Sequence, residues 1–294
     1  MDQPYAHRTW QSADGLTLHY RDYAGPESAA DMPPVLCLHG LTRNARDFAV
    51  LAEHLCQDRR VIVPEMRGRG RSDYAPDSST YTPGNYVGDV EALLADLGID
   101  RFVAIGTSMG GLMTMMIAAG DAAAGRSRIV GAVLNDIGPE IDTGGLDKIR
   151  TYLGQGGSYA TWMHAARALR EVHKEAHPDF DIERWLEMAK RTLMLGQSGR
   201  LVFDYDMAIA DPFKAADENA APPDLWPAFD ALGDVPLLLV RGGLSNLLTE
   251  ETAAAMQARK AQMELVTVER CGHAPLLDEP EVISAIDRLL GKTA

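Results

Sequence analysis

A serine lies between two glycines in residues 106–111, which read GTSMGG. An apolar segment, residues 102–105, comes before this motif, and a helical pattern of apolar residues follows it. The pattern G-x-S-x-G between a strand and a helix is typical of a sharp turn that exposes a serine hydroxyl for nucleophilic attack. A glycine-rich turn with an incidental serine is the alternative, but the strand before and the helix after favour the first interpretation. Ser108 is therefore the candidate nucleophile.

A serine hydroxyl is a poor nucleophile until a base accepts its proton, and histidine is a common base. The chain has eight histidines. His273 follows the last apolar segment, residues 265–268. Because the carboxyl ends of parallel strands lie along one edge of a sheet, this histidine is expected beside Ser108. His39 precedes Gly40 at the end of another strand and is interpreted as a residue that shapes a loop.

The hydrophobic pattern of the sequence predicts the strands and helices that position Ser108 and His273. Short apolar segments alternate with segments in which apolar residues recur every three or four positions. The expected strands lie near residues 16–20, 35–38, 61–63, 102–105, 129–134, 236–240 and 265–268. Strands that alternate with helices in this way predict a mostly parallel sheet covered on both faces.

Residues 138–235 interrupt this alternation. No buried strand is expected there, and three of the four tryptophans fall within the segment. About a hundred residues are too many for a single loop in a compact domain. The sequence therefore predicts a core of residues 1–137 and 236–294, with residues 138–235 as a helical cap.

Four motifs together resemble those of the α/β-hydrolase family, and the resemblance extends over nearly the whole chain. They are His39-Gly40, Arg67–Ser72 (RGRGRS), the turn at Ser108 and Gly272-His273. The chain is especially similar to bacterial esterases and carbon–carbon hydrolases with a helical cap after the sixth strand. The resemblance implies an α/β fold with a mostly parallel eight-stranded sheet. The motifs are specific for the fold and much less so for the substrate.

The resemblance also implies an oxyanion hole of two backbone N–H groups, here those of Leu41 and Met109. Arg43, near the oxyanion loop, and Trp162, in the cap, are candidate substrate contacts. The aromatic residues of the cap are equally well explained by packing within it.

The acid that should orient the histidine departs from the family pattern. The family usually has an aspartate in the loop after the seventh strand, and here Asn246 stands where it is expected. An asparagine cannot stabilise an imidazolium by charge and favours the wrong tautomer. Three explanations are open: Asp136, after the sixth strand, supplies the acid; Asn246 is an engineered replacement that traps a ligand; or the protein is slow or inactive. We favour Asp136.

The resemblance implies hydrolysis of a carboxylic ester or lactone through an acyl-enzyme. Two alternatives remain: cleavage of a carbon–carbon bond in a vinylogous diketone, or a binding protein that has lost turnover, which Asn246 would explain. A serine nucleophile argues against the haloalkane dehalogenase and epoxide hydrolase branches, which need a carboxylate.

The composition limits the classes of partner and cofactor that are expected. The formal net charge of −14 argues against nucleic acid or an anionic membrane surface as a partner. The three cysteines show no disulfide or zinc spacing, so no metal and no cofactor are expected. No signal peptide or membrane-spanning segment is evident, and a cytoplasmic protein with a small-molecule substrate is expected. A homodimer is left open.

Overall fold

A mixed sheet of eight strands forms the centre of the computed structural model, which describes residues 3–215 and 223–293. Its strands, in chain order, are β1 (Ala6–Gln11), β2 (Thr17–Tyr23), β3 (Val35–Leu38), β4 (Val61–Glu65), β5 (Phe102–Thr107), β6 (Ile129–Asn135), β10 (Leu237–Gly242) and β11 (Glu264–Val268). The short strands β7 (Ser158–Tyr159), β8 (Leu193–Leu195) and β9 (Leu201–Phe203) lie between β6 and β10 in the chain.

The spatial order of the large sheet is β1-β2-β4-β3-β5-β6-β10-β11. The strand β2 pairs antiparallel with both β1 and β4, and the pairs from β4 to β11 are parallel. This arrangement confirms the predicted mostly parallel eight-stranded sheet. Because parallel strands end at the same edge, the residues after β3, β5, β6 and β10 are brought together there.

Helices cover both faces of the sheet. The helices of the chain are α1 (Ala49–Leu55), α2 (Pro83–Asp96), α3 (Met109–Ala123), α4 (Thr143–Tyr152), α5 (Trp162–His173), α6 (Ile182–Thr192), α7 (Asp211–Ala215), α8 (Trp226–Asp230), α9 (Glu250–Arg259) and α10 (Pro280–Leu290). One apolar layer includes residues of α2, α3, α8 and α9, and the other includes residues of α1 and α10. Neighbouring strand residues alternate between the layers, as Leu36 and Cys37 do.

Local sequence accounts for the start of α2. Thr82 is extended and its hydroxyl oxygen accepts a hydrogen bond from the N–H of Asn85 at 3.4 Å, while Pro83 occupies the first helical position. A capping threonine followed by proline is a preferred helix start, because proline lacks an N–H that would be unpaired there.

The segment between β6 and β10 holds helices α4 to α8 and a small antiparallel sheet in the order β7-β9-β8. No buried strand is expected from the sequence in this segment, and the three short strands described there are mostly exposed or half-buried. These strands have two or three residues each, which is too short to produce a periodic hydrophobic pattern.

The segment has its own apolar cluster around Trp185, Ala189 and Leu201. Its last helix differs, since Phe229 of α8 packs in a core layer under the sheet. Residues 216–222, which the sequence analysis assigned to the cap, lie outside the described residues. The boundaries at 138 and 235 stay predictions.

Among the described residues, no helix combines the length and the apolar character that crossing a bilayer would require.

Candidate active site

The turn between β5 and α3 exposes Ser108 at the start of a helix. Ser108 has a φ of 52°, in the left-handed region that L-amino acids rarely adopt. Its N–H donates to the carbonyl of Asn135 at 2.9 Å, which ties the turn to the end of β6. A β-carbon on Gly110 would lie 2.0 Å from the carbonyl oxygen of Leu38, so the turn requires glycine at this position.

Three side chains from three different loops form one line of hydrogen bonds. His273 Nε2 lies 2.8 Å from Ser108 Oγ, and His273 Nδ1 lies 2.8 Å from Asp136 Oδ2. Asp136 is fully buried, and the side chain of His273 is 15% exposed. The structure thus brings together the predicted nucleophile, base and acid in an arrangement suited to proton transfer from serine to histidine.

The carboxylate of Asp136 is held on both oxygens. Asp136 follows β6 with a φ of 55°, and its N–H donates to the carbonyl of Val240 at 2.7 Å. Oδ1 accepts from the N–H of Gly242 at 2.8 Å, and Oδ2 accepts from the hydroxyl of Ser245 at 2.7 Å. These donors fix the orientation of the buried carboxylate towards His273.

The structure does not place Asn246 beside Nδ1 of His273. Asn246 is exposed, and the side chain that contacts Asp136 from this loop is that of the preceding residue, Ser245. The carboxylate that the family pattern seemed to lack is present at Asp136, so neither replacement by engineering nor loss of activity is needed to explain Asn246.

The two backbone groups predicted for the oxyanion hole flank Ser108. Met109 is the first residue of α3, where helix geometry leaves the N–H without an intrahelical acceptor. Leu41 lines the cavity beside Ser108. Within the described ranges, neither N–H donates to another residue of the chain. Both groups are therefore available to a developing oxyanion.

Buried polar residues brace the loop of Leu41. Arg69, which is fully buried, donates to the carbonyl of Leu41 at 2.9 Å and to the hydroxyl of Tyr86 at 2.9 Å. His39 Nε2 accepts from the N–H of Met66 at 3.1 Å, and burial lowers the pKa of His39 to about 4. The structure agrees with the interpretation of His39 as a residue that shapes the loop, and the lowered pKa leaves its imidazole neutral at pH 7. Arg69 belongs to the RGRGRS motif, whose basic residues were interpreted from the sequence as bracing the loop against carboxylates; the acceptors named here are instead a backbone carbonyl and a tyrosine hydroxyl.

A cavity of about 290 Å³ opens beside Ser108 under helices α4 to α6. Arg43 lines it, as predicted, and so do Tyr152 and Tyr159. Trp162 is not among its lining residues, and this side chain packs against the apolar cluster around Trp185. Trp162 therefore does not have the position that a substrate contact requires.

The sequence analysis missed two cavity histidines, His173 and His177, at the end of α5 and just beyond it. Burial is the largest cause that lowers their pKa values, to about 4 and about 3, so both are neutral at pH 7. Their four-residue spacing, which corresponds to about one helical turn, is the sequence signal that could have placed both histidines on one side of the segment. Among the described residues, no cluster of three or more histidines, cysteines or carboxylates is arranged to hold a metal ion.

Comparison with known proteins agrees with the observed fold. The model of the alpha/beta hydrolase family matches residues 35–286. The chain belongs to the alpha/beta hydrolase family. A crystal structure of an alpha/beta hydrolase from Novosphingobium aromaticivorans is 56% identical, covers 99% of this chain and 100% of its own, and superposes with a TM-score of 0.93.

Two relatives of the chain have names that give different substrates. The 3-hydroxybutyrate-oligomer hydrolase of Cupriavidus necator is 34% identical over 271 residues, which cover 90% of this chain and 89% of the relative. The N-formylmaleamate deformylase of Pseudomonas putida is 28% identical over 247 residues, which cover 74% of this chain and 85% of the relative. The chain is therefore a hydrolase of the alpha/beta hydrolase family, and its substrate must be argued from the site.

Proposed function

We propose that this alpha/beta hydrolase is a serine esterase that works through an acyl-enzyme. The proposal rests on two hydrogen bonds of His273. Its Nε2 lies 2.8 Å from Ser108 Oγ, and its Nδ1 lies 2.8 Å from Asp136 Oδ2. A neutral imidazole with a carboxylate on Nδ1 and a hydroxyl on Nε2 is the arrangement that activates a serine.

The reaction follows from these positions. Ser108 Oγ attacks the ester carbonyl carbon while His273 Nε2 accepts the hydroxyl proton, and Asp136 stabilises the resulting imidazolium. The N–H groups of Leu41 and Met109 donate to the oxyanion. His273 then gives its proton to the leaving alcohol. Water attacks the acyl-enzyme with His273 again as base, which releases the acid and restores the serine.

The proposed substrates are small linear esters of hydroxy acids, such as oligomers of 3-hydroxybutyrate. The support is the 34% identical relative, whose name gives this substrate and with which this chain shares most of its length. A cavity of about 290 Å³ is at the lower end of the size usual for small ligands. A lactone is an internal ester and suits the same chemistry. Among the described residues that line the cavity, we find no feature that favours cleavage of a carbon–carbon bond.

The experiment combines an active-site probe with a substrate panel. We expect a fluorophosphonate to label the wild-type protein at Ser108, and we expect turnover of nitrophenyl esters and of the 3-hydroxybutyrate dimer. The variant Ser108→Ala should lose labelling and at least about a thousandfold in kcat. Absence of labelling in the folded wild-type protein would contradict the proposal, and turnover of a vinylogous diketone but of no ester would favour the carbon–carbon hydrolase.

A further inference from the structure

The cavity beside Ser108 has an uneven distribution of charge. Of the described residues that line it, Arg43 and Asp47 are the permanently charged ones. His173 and His177 stay neutral at pH 7, because burial and the nearby charge of Arg43 lower their pKa values. Apart from the proposed base, the Arg43 guanidinium is thus the positive group that a substrate in this cavity would meet.

The guanidinium is only partly satisfied by the protein. Nε of Arg43 pairs with Asp47 Oδ2 at 3.0 Å, and Nη1 lies 2.9 Å from the sulfur of Met188. A thioether is a weak acceptor. Within the described part of the chain, neither Nη group has an oxygen acceptor, although the side chain is only 20% exposed. Donors of this kind gain most from an added anionic oxygen.

Arg43 is close to the reacting atoms. Its Cγ lies 3.6 Å, and Ser108 Cβ lies 3.7 Å, from the point where a β-carbon on Gly40 would stand. The N–H of Arg43 donates to the carbonyl of Gly40 at 3.1 Å, so the side chain projects from the same tight turn as the oxyanion loop. A group bound by the guanidinium would therefore lie in the same cavity as the carbonyl carbon that Ser108 attacks.

The field of Arg43 extends across the cavity to the cap. Its charge opposes protonation of His173 and His177, and it works against the rise that burial causes in the pKa of Tyr152. Asp47 acts instead near His39, where burial lowers the pKa of the imidazole and the charge of Asp47 offsets a small part of that lowering. The positive charge of Arg43 therefore acts on the residues of the cavity wall opposite to it.

The molecule as a whole carries a net charge of −14, which repels anions. A partly buried cation inside the substrate cavity of such a protein would attract and bind an anionic substrate. With a neutral ester, Asp47 at Nε would remain the only anionic contact of the guanidinium among the described residues, and its partly buried Nη groups would gain no anionic oxygen.

From these contacts we infer that Arg43 binds a free carboxylate on the alcohol side of the scissile ester. The inference rests on the proposed esterase function and names its substrate class: an ester whose leaving alcohol is a short hydroxy acid. In the terminal ester of a 3-hydroxy acid oligomer, about four bonds separate the ester carbonyl carbon from the free carboxylate carbon. Hydrolysis with one water then releases one hydroxy acid from the carboxyl end of the chain.

The test compares two dimers that differ only in charge. One is the 3-hydroxybutyrate dimer with its free carboxylate, and the other is the same dimer with a terminal carboxamide, so that the internal ester is the scissile bond in both. We expect the wild-type enzyme to favour the carboxylate dimer about ten- to a hundredfold in kcat/KM, a range that corresponds to one charge-assisted hydrogen-bonded contact.

Variants assign this preference to the guanidinium. Arg43→Met should reduce the ratio of the two kcat/KM values to about one, and Arg43→Lys should keep it above one. Arg170→Met is the matched control, because Arg170 is an exposed arginine of α5 outside the cavity lining and its loss changes the net charge equally. This control should keep the wild-type ratio.

The outcomes separate this inference from the esterase proposal. Equal kcat/KM for both dimers in the wild-type enzyme overturns the inference and leaves the esterase proposal standing, and it needs no variant to fold. A ratio that survives in Arg43→Met also overturns it, as does a probe-reactive enzyme that hydrolyses neither dimer. Failure of the wild-type protein to react with the fluorophosphonate overturns the proposed function itself.

Discussion

At the scale of single residues, the position of the proposed acid distinguishes this site from the usual family pattern. Asp136 follows β6, whereas the aspartate of most relatives is expected after the next strand of the core. Both positions lie at the same edge of the sheet, because β6 and β10 are parallel neighbours. Ser245 and Gly242 of the β10 loop still take part, since each donates a hydrogen bond to the carboxylate.

The first prediction concerns this carboxylate. Asp136→Asn should lower kcat about 10³- to 10⁴-fold, because an amide cannot stabilise the imidazolium and favours the wrong histidine tautomer. Asn246→Asp is the matched control, and it should change kcat less than about threefold, since its side chain is exposed. Steady-state kinetics on a nitrophenyl ester checks both variants. A large gain in Asn246→Asp, or an unchanged kcat in Asp136→Asn, would mean that the acid is misassigned.

At the scale of elements, the active site depends on close contact between α3 and β3. The start of α3 approaches the carbonyl of Leu38 so closely that only glycine fits at position 110. His39 and Gly40, which lead into the oxyanion loop, follow Leu38 directly. A shift of α3 would thus displace both Ser108 and the oxyanion donors.

Gly110→Ala should therefore destabilise the protein by about 2–3 kcal/mol and also reduce kcat. Its control lies on the same helix. A β-carbon on Gly120 would have no neighbour within 4 Å, so Gly120→Ala should stabilise the protein by about 0.5–1 kcal/mol through helix propensity. Urea unfolding of the two variants measures the difference, and equal free energies of unfolding would show that the close approach is not limiting.

Glu65, the last residue of β4, ties several elements together at the same edge. Its buried carboxylate accepts from His19 Nδ1 at 2.9 Å, from the N–H of Arg71 at 2.7 Å and from the N–H of Ala45 at 3.1 Å. Burial would raise the pKa of Glu65, but these hydrogen bonds outweigh it and lower the pKa from 4.5 to about 2. The carboxylate thus supports the oxyanion loop in its ionised form.

The lowered pKa of Glu65 makes the stability of the folded protein depend on pH. Because the pKa of Glu65 is lower in the folded state, its ionisation stabilises the fold above about pH 4.5, and this contribution is lost as the pH falls towards 2. At pH 7, Glu65→Gln should cost about 1–3 kcal/mol, and the difference from the wild type should shrink on acidification. Free energies of unfolding in urea at pH 7, 5 and 3 test this. A difference that grows towards low pH would contradict the assigned shift.

At the scale of the whole molecule, ion pairs join the segment between β6 and β10 to the loop that carries the proposed base. Arg184 and Arg191, both on α6, each contact the carboxylate of Asp278 at 2.7 Å. Asp278 lies five residues after His273, and its side chain is 8% exposed. Burial would raise the pKa of Asp278, but the hydrogen bonds from both arginines lower it. These ion pairs therefore connect helix α6, which lines the cavity, to the loop that carries His273.

Loss of this link should affect stability and substrate binding together. Asp278→Asn removes the carboxylate that pairs with Arg191. It also leaves Arg184 with the exposed Glu187, so we expect a loss of about 1–3 kcal/mol and a raised KM. Glu187→Gln removes an exposed partner of Arg184 and should cost less than about 0.5 kcal/mol. Thermal unfolding and steady-state kinetics of both variants decide the matter. Equal effects in the two variants would show that burial of the Asp278 pair is unimportant.

The sequence by itself determined the features that depend on neighbouring residues. The alternation of apolar segments with helical patterns specified a mostly parallel sheet, and the glycines around Ser108 specified the turn. Thr82-Pro83 specified the start of α2. Each of these signals acts through local backbone geometry, and it can therefore be read within a window of about ten residues.

Only the tertiary structure decided which distant side chains meet. Asp136 and His273 are 137 residues apart and Ser108 and His273 are 165 apart, so their hydrogen bonds depend on the order of strands in the sheet. The same holds for the cavity, where Arg43 is present and Trp162 is not. A periodic pattern shows that a side chain is buried, but the neighbours that bury it come from remote parts of the chain.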